Sequence, residues 1–453
     1  MNRAPGEAIY DMAATNTVSF REAFGVWVKI GLLSFGGPAG QIALMHRILV
    51  EEKEWLSEPQ FLHALNFCML LPGPEAQQLA TYSGWLLHGV RGGLAAGLLF
   101  ILPGVAVMLA LSVLYAAYAE LAFVEAIFFG IKAAVFAIVV EALIRISKRV
   151  MKTGALYAVA AAAFAAIFFL DVPFPAVVLG AALFGLAAVR VSPAIFGEAM
   201  AAGEGGAANG NGAREGRSFL RTLATLVIGL AVWLVPVAVL VLAFGTAHVF
   251  TQEAVFFSKM AVVTFGGAYA VLAYVAQEAV QNFGWLDAGE MLDGLGLAET
   301  TPGPLIMVLQ FVGFLGAYRA ETGLSPMVSG IAGAAITTWV TFAPCFLWIF
   351  LGAPYVERLR NVKSLNAAFT AITAAVVGVI ANLAVWFGLH VLFGEIAETR
   401  IGVFRLFVPN VATLDPWAFV LSAAAAVAVL RFKAGMLPVL GVAGMLGLAI
   451  RFL

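Results

Sequence analysis

Long apolar segments separated by short polar turns dominate the chain. Nine of them come close to the roughly 20 residues that a helix needs to cross a hydrocarbon core about 30 Å thick. These nine predicted spans lie at 94–118, 126–144, 155–171, 174–190, 222–244, 326–350, 366–392, 412–430 and 434–451. The pattern predicts an all-α polytopic membrane protein.

Four further apolar segments are interrupted near their middle by glycine and proline. They lie at 22–46, 60–88, 253–277 and 290–317, and each carries Phe-Gly-Gly or Pro-Gly-Pro. Proline removes an intrahelical hydrogen bond and glycine weakens a helix, so neither motif favours a continuous span. Each segment is therefore either one interrupted span or a re-entrant hairpin, and the sequence leaves both open.

The interrupted segments recur at one fixed offset, which indicates an internal duplication. Ser34-Phe-Gly-Gly37 aligns with Thr264-Phe-Gly-Gly267, 230 residues later, and Pro72-Gly-Pro74 aligns with Pro302-Gly-Pro304. Lys29 aligns with Lys259, and Trp55-Leu56 with Trp285-Leu286, at the same offset.

Clusters of arginine and lysine predict which loops face the cytoplasm, because positively charged loops stay on that side. Five predicted spans separate the two groups of interrupted segments, and an odd number of crossings turns the second group upside down. We therefore predict two inverted-topology repeats, with the N-terminus cytoplasmic and the C-terminus periplasmic. The clusters are Arg145, Lys148, Arg149 and Lys152; Arg214, Arg217 and Arg221; and Arg358, Arg360 and Lys363.

The domain organisation follows from the same patterns. Residues 1–19 form a polar N-terminal tail without the features of a cleaved signal peptide. Residues 20–191 are the first repeat, and the hydrophilic stretch 192–218 is predicted to be a flexible cytoplasmic linker. An extra transmembrane helix at 219–249 precedes the second, inverted repeat at 250–453.

Composition narrows the functional class. Hydrophobic residues make up 62% of the chain and charged residues 11%, with a mean hydropathy of +0.98, so the lipid bilayer is its solvent. A net charge of −1 does not predict a nucleic-acid partner. Cys68 and Cys345 lie far apart in the sequence and belong to no metal-binding or redox motif, so we interpret both as packing residues. Without a nucleotide-binding, catalytic or metal-binding motif, we predict no enzyme, no cofactor and no metal, and energy from an ion gradient or the membrane potential.

The four interruptions are the predicted substrate site, because inverted-repeat transporters bind substrate where broken helices meet near the midplane. A helix that starts after Pro74 or Pro304 exposes backbone N–H groups and a partial positive charge, which suits an oxyanion. Lys29 and Lys259 lie in apolar stretches where a lone cation is costly, and together would neutralise a dianion. Glu75 directly follows Pro74 and is the candidate proton-coupling carboxylate.

Each candidate also has a structural interpretation. Glycine and proline permit close packing or a kink, the lysines snorkel to the interface, and Glu75 complements a helix dipole. The predicted substrate-binding set is Lys29, Ser34, Gly36, Gly37, Gln41, Pro72, Gly73, Pro74, Glu75, Gln78, Lys259, Thr264, Gly266, Gly267, Thr301, Pro302, Gly303 and Pro304.

Several of these stretches resemble the chromate ion transporter family. They are Phe35-Gly-Gly-Pro-Ala-Gly-Gln-Ile42, Leu71-Pro-Gly-Pro-Glu-Ala-Gln-Gln-Leu-Ala-Thr-Tyr82 and Phe100-Ile-Leu-Pro-Gly104 in the first half, with Thr264-Phe-Gly-Gly267 and Thr301-Pro-Gly-Pro304 in the second. The resemblance extends over both halves, excepting the N-terminal tail and the linker.

The resemblance implies export of chromate across a bacterial inner membrane, driven by the proton motive force, with chromate resistance as the outcome. Sulfate is the look-alike anion, protons are the expected coupling ion, and a homodimer is left open. Two alternatives remain: a transporter for sulfate or another oxyanion, and a passive anion channel. A channel would need a continuous polar pore, which so few polar residues per span disfavour.

Overall fold

The computed structural model describes residues 18–191, 219–265, 268–355 and 363–452. Helices account for most of these residues, which confirms the predicted all-α membrane fold. Several predicted features lie outside the described residues. They are most of the tail 1–19, the whole linker 192–218, Gly266, Gly267 and the basic residues Arg214, Arg217, Arg358 and Arg360.

Seven helices form the described part of the first half. They are α1 (Phe20–Leu33), α2 (Gly37–His46, continued by the π-helical turn Arg47–Glu52), α3 (Glu58–Cys68), α4 (Glu75–Tyr118), α5 (Ala122–Val150), α6 (Gly154–Phe168) and α7 (Phe174–Val191).

The second half follows the same order after the additional helix α8 (Phe219–Phe244). It contains α9 (Val249–Val263), α10 (Ala268–Ala276, continued by the π-helical turn Gln277–Asn282), α11 (Ala288–Thr300), the 3-10 turn Leu305–Met307, α12 (Val308–Arg319), α13 (Pro326–Gly352), α14 (Lys363–Leu392), α15 (Pro416–Leu430) and α16 (Met436–Phe452). The two π-helical turns lie at equivalent positions of the repeat.

α1 and α2 form a re-entrant hairpin with the Phe-Gly-Gly motif at its tip. Lys53 Nζ, just beyond the α2 π-helical turn, lies 3.1 Å from Glu22 Oε1, in the first turn of α1. If the two helices continued in one line, about 30 helical residues would separate these side chains by about 45 Å. The ion pair therefore shows that the chain turns back.

The Pro-Gly-Pro motif of the first half is the tip of a second hairpin, formed by α3 and the start of α4. The rings of Phe67 and Tyr82, on either side of the motif, lie 5.3 Å apart. α4 itself reverses at His88 and Gly89, where the backbone leaves the helical region. Residues 75–87 then pack against 90–118 so closely that a Cβ at Gly84 would lie 2.4 Å from the carbonyl oxygen of Gly92.

The second half repeats both hairpins. Phe256 in α9 contacts Phe283 beyond the end of the α10 π-helical turn, with ring centroids 5.5 Å apart. Arg319 at the end of α12 donates to Glu290 in the first turn of α11, with Nη1 2.8 Å from Oε2. All four interrupted segments are thus re-entrant hairpins.

The hairpins of the two halves open towards opposite ends of the molecule. His88 lies 5.4 Å from Phe20 between ring centroids, so both hairpins of the first half open at one end, the His88 face. α13 starts beside the end of α12 and runs for 27 residues, about 40 Å, until Phe350 covers Gly93 near the His88 face. The second pair therefore opens at the opposite Arg319 face, and the repeats are inverted as predicted.

The nine predicted continuous spans correspond to the long arm of α4, to α5–α8 and to α13–α16. One element was not predicted. Strands β1 (Ile396–Ile401) and β2 (Phe404–Pro409) form an antiparallel hairpin between α14 and α15. It is held by Arg405, which is 4% exposed and whose Nη1 lies 2.8 Å from Asp171 Oδ1 in the α6–α7 loop.

Cross-linking tests the re-entrant geometry of α1 and α2. We expect Glu22→Cys combined with Lys53→Cys to be joined by a short bis-maleimide, because these side chains meet in the folded chain. Glu22→Cys with Tyr118→Cys is the matched control, since Tyr118 is exposed at the far end of α4. Absence of cross-linking in the first pair, with both cysteines reactive towards a mono-maleimide, would contradict the hairpin.

Candidate functional site

Two backbone hydrogen bonds join the interruptions of opposite halves. The Gly73 N–H donates to the Thr264 carbonyl at 2.8 Å, and the Gly303 N–H donates to the Ser34 carbonyl at 2.8 Å. The two bonds are equivalent under the repeat, so each Pro-Gly-Pro tip contacts the Phe-Gly-Gly tip of the other half. We call this meeting of residues 34–37, 72–74, 264–265 and 302–304 the crossover.

Serine and threonine hydroxyls donate hydrogen bonds to backbone carbonyls in the last turns of the helices that end at the crossover. Ser34 Oγ donates to the Ile30 carbonyl and Thr264 Oγ1 donates to the Met260 carbonyl, each at 2.5 Å. Thr301 Oγ1 donates to the Leu297 carbonyl at 2.7 Å. These three side chains are at most 3% exposed, so the crossover is closed in this conformation.

Two glutamines strengthen the crossover, and both come from the first half. Gln41 Nε2 donates to the Gly303 carbonyl at 2.6 Å, and Gln78 Nε2 donates to the Pro72 carbonyl at 2.7 Å. The repeat places Val271 and Val308 at the equivalent positions. The backbone frame is therefore symmetric while its polar side chains are not.

Two long helices close the crossover from the sides. A Cβ at Gly104 in α4 would lie 2.4 Å from the Pro302 carbonyl oxygen, so only glycine permits this approach. Cys345 of α13 packs in the same way against the other Pro-Gly-Pro tip. A Cβ at Gly73 would lie 2.9 Å from its Sγ. This packing fixes the positions of both Pro-Gly-Pro tips.

Three helical segments that start at the crossover, namely α2, α4 and the 3-10 turn, have no side-chain cap at their N-terminus. Neither Gly36 before α2, nor Pro74 before α4, nor Pro304 before the 3-10 turn supplies a side-chain cap. Gly36 and Gly37 have positive φ of 85° and 71°, and a Cβ on either would meet no heavy atom within 4 Å. We find no acceptor among the described residues for their backbone N–H groups.

This arrangement favours an anion. Helix C-termini also end at the crossover, but the Ser34 and Thr264 carbonyls already accept hydrogen bonds from Gly303 and Gly73. The unpaired groups are the N-terminal N–H donors, which carry the positive end of the helix dipole. A tetrahedral oxyanion is the ligand that such donors bind.

The structure places the two predicted lysines on the outer side of their helices. Lys29 is exposed and its Nζ lies 3.6 Å from Glu52 Oε2, while Arg47 Nε lies 3.4 Å from Oε1 of the same glutamate. Lys259 is exposed as well, and we find no ion-pair partner for it among the described residues. Both lie five residues before the crossover, and a ligand role for them stays a prediction.

Glu75 lies in the first turn of α4, beside the crossover. It is partly buried, it makes no ion pair with a described residue, and Arg149 of α5 is within electrostatic reach. Gly73, Pro74 and Gln78 surround it along the chain. The remaining predicted residues, Gly266 and Gly267, lie outside the described part of the chain.

Three buried carboxylates of the second half were missed by sequence reasoning. Glu253, Asp293 and Glu299 are 0%, 4% and 2% exposed. A signal was present, because all three are acidic residues within the interrupted apolar segments 253–277 and 290–317, where an acidic residue is costly.

Comparison with known proteins agrees with this architecture. A family model described as chromate transporter matches residues 21–186 and again residues 251–448, one match for each repeat. The chain belongs to the chromate transporter family. No solved structure matches this family member.

Three curated relatives of this chromate transporter family member cover most of its length. A protein named chromate transport protein from Pseudomonas aeruginosa is 32% identical over 413 residues, 88% of this chain and 88% of that protein. A probable chromate transport protein from Synechococcus elongatus is 28% identical over 389 residues, 86% and 89% of the two chains. A chromate transport protein from Cupriavidus metallidurans is 27% identical over 369 residues, 80% and 81% of the two chains.

Substitution of Gly73 tests the crossover. Gly73 has a φ of 123° and a Cβ there would lie 2.9 Å from Cys345 Sγ, so Gly73→Ala should destabilise the protein by roughly 1–3 kcal/mol. Gly303→Ala meets only contacts of 3.4 Å or longer and should cost less. The measurement is the thermal midpoint of the detergent-solubilised protein by size exclusion.

Gly180→Ala is the control for this measurement. Gly180 lies in α7, and a Cβ there meets nothing within 4 Å. Alanine should be tolerated because it favours a helix over glycine by about 0.5–1 kcal/mol. Equal thermal midpoints for Gly73→Ala and Gly180→Ala would show that the crossover is not under the steric constraint described here.

Proposed function

We propose that this protein is a secondary transporter that exports chromate, binding the dianion at the crossover. The observation that carries the proposal is the pair of backbone N–H groups at Gly36 and Gly37, at the start of α2, for which the described residues supply no acceptor. The names of the relatives support chromate as the substrate.

Binding of a tetrahedral dianion requires replacement of its hydration shell. Backbone N–H groups at Gly36, Gly37 and the first turn of α4 can supply the hydrogen bonds, and Lys29 a positive charge if its side chain leaves Glu52. We propose the remaining predicted residues as the frame that positions these donors.

The closed crossover and the inverted repeats support alternating access. The two hairpin pairs open at opposite faces, so separating one tip from its partner would expose the site to one face at a time. The hydrogen bonds that must break are few, since one backbone bond holds each pair of tips and Gln41 adds one side-chain bond to Gly303. This supports a carrier over a channel with a permanent pore.

We propose the orientation from the distribution of charge. Lys148 and Arg149 lie in the last turn of α5, which ends at the His88 face, so that face is cytoplasmic. The N-terminus is then cytoplasmic, the C-terminus periplasmic, and the bacterial inner membrane the location. We also propose the domain boundaries predicted from the sequence, with 192–218 as a flexible cytoplasmic linker.

The proton motive force suffices to drive export. An inside-negative potential of 100 mV favours outward movement of a dianion by about 4.6 kcal/mol, because each elementary charge contributes about 2.3 kcal/mol. Protons can add or subtract a further contribution, depending on their direction of movement. Glu75 is the proposed coupling carboxylate from the first half.

Transport into everted vesicles tests this proposal. Vesicles with the protein should accumulate labelled chromate when respiration energises them, and vesicles without it should not. A protonophore should abolish accumulation, and excess sulfate should compete if the site recognises tetrahedral dianions in general. Accumulation of sulfate but not chromate would reassign the substrate, and currents far above carrier turnover would indicate a channel.

Two substitutions that remove a charge at the candidate site separate chromate binding from proton coupling. We expect Lys29→Gln to lose most chromate transport at normal membrane abundance, because the dianion loses the positive charge that we propose Lys29 supplies. Lys53→Gln is the matched control, since Lys53 pairs with Glu22 at the hairpin opening. Near-normal transport and affinity in Lys29→Gln would show that this lysine only snorkels.

Glu75→Gln tests the coupling role. A coupling carboxylate should, when neutralised, leave intact both chromate exchange and the accumulation driven by the membrane potential, and abolish the part of the accumulation that depends on the pH gradient. A structural Glu75 that only complements the helix dipole would leave both activities near normal. The comparison requires exchange and accumulation to be measured in the same vesicles.

A further inference from the structure

Buried carboxylates distinguish the second half from the first. Glu253, Asp293 and Glu299 correspond in the repeat to Ala23, His63 and Met69. Because the first half forms the same hairpins without them, the fold does not require acidic side chains at these places. Their burial in apolar segments therefore calls for a functional explanation.

Two of the three carboxylates are unsuited to act at the crossover. Asp293 of α11 accepts from the Tyr115 hydroxyl at 2.8 Å and lies 3.4 Å from Lys132 Nζ, so its charge is compensated. Glu253 of α9 has no hydrogen-bond partner among the described residues, but it lies eleven residues before Thr264, about 16 Å along the helix.

Glu299 lies directly between the two interruptions of the second half. Glu299 lies in the last turn of α11, two residues before Thr301 and four residues before Gly303. Its Oε1 accepts a hydrogen bond from the hydroxyl of Tyr269, the second residue of α10, at 2.6 Å. The bond thus links the helix that starts after one interruption to the helix that ends before the other.

The other carboxylate oxygen of Glu299 is Oε2. Oε2 is buried and forms no hydrogen bond with a described residue. The charged groups that face Glu299 are Glu141 and Arg145 of α5, which pair with each other at 3.6 Å. Among the described residues, Glu299 thus has no cation of its own to compensate a negative charge.

A dianion at the crossover would act on this group. Negative charge on Glu299 repels a bound oxyanion only a few residues away, and burial strengthens the repulsion because the local dielectric is low. Anion binding and protonation of Glu299 therefore favour each other. The Tyr269 hydroxyl keeps its hydrogen, and the added proton goes to the unpartnered Oε2.

We propose that Glu299, positioned by Tyr269, is a proton-binding site coupled to oxyanion binding at the crossover. This inference rests on the proposed function. One proton enters with each dianion from the face to which the crossover is open and leaves with it at the other. The complex then moves one net negative charge instead of two.

Anion affinity as a function of pH tests the proposal. The full chain in lipid nanodiscs is titrated with chromate, and separately with sulfate, between about pH 5 and about pH 9. This range includes the pKa values that buried carboxyl groups reach in proteins. For the wild type we expect the affinity to fall by up to tenfold per pH unit once Glu299 ionises, as for one linked proton. Glu299→Gln should bind with the affinity of the acid form at every pH.

Direct proton uptake gives a second readout. Addition of chromate to wild-type protein in weak buffer with an indicator dye should take up about one proton per anion at pH values where Glu299 is ionised. Glu299→Gln should take up none, and Glu299→Asp should retain uptake because it keeps a carboxyl group. Tyr269→Phe should shift the pH at which the affinity changes without abolishing the dependence.

Matched variants make the outcome decisive. Asp293→Asn and Glu253→Gln remove equally buried carboxyl groups away from the crossover and should keep the wild-type pH dependence. The inference is overturned if Glu299→Gln keeps that dependence, or if Glu253→Gln abolishes it instead. A wild-type protein that binds neither chromate nor sulfate at any pH would overturn the proposed function together with the inference.

Discussion

The fold depends on how backbone groups are satisfied where helices stop inside the membrane. An unpaired N–H or carbonyl costs several kcal/mol in hydrocarbon, so a re-entrant tip persists only against a partner. Here the partner is the other repeat, since Gly73 donates to Thr264 and Gly303 donates to Ser34. The four tips therefore stabilise one another at a single place, and neither half could bury its tips in this way alone.

That mutual dependence also explains the unequal chemistry of the two halves. Duplication fixes the backbone frame, because any loss of a tip glycine or a crossing bond affects both repeats. Side chains beside the frame are free to differ. The first half supplies Gln41, Gln78 and Glu75, whereas the second half supplies the Tyr269–Glu299 pair. Anion-binding donors and a proton-binding carboxyl can thus lie near each other without either being duplicated.

Much of this was predictable from local properties. Segment length and hydropathy located the nine spans, and the offset between Ser34 and Thr264 revealed the duplication. Charge asymmetry between loops predicted the inversion. The β-hairpin at 396–409 was not predicted, because its stability comes from contacts of Arg405 with Asp171, more than 200 residues earlier in the chain.

By itself, the sequence determined the membrane environment, the two repeats, their opposite orientation and the positions of the interruptions, because each depends on composition or periodicity along the chain. Only the tertiary structure decided that the interruptions are hairpin tips and which tips meet. It also showed that Lys29 is exposed beside Glu52, whereas Glu299 is buried against Tyr269. The physical reason is that burial and hydrogen bonding across the crossover join residues about 190 to 270 positions apart, and no local pattern encodes the environment that such contacts create.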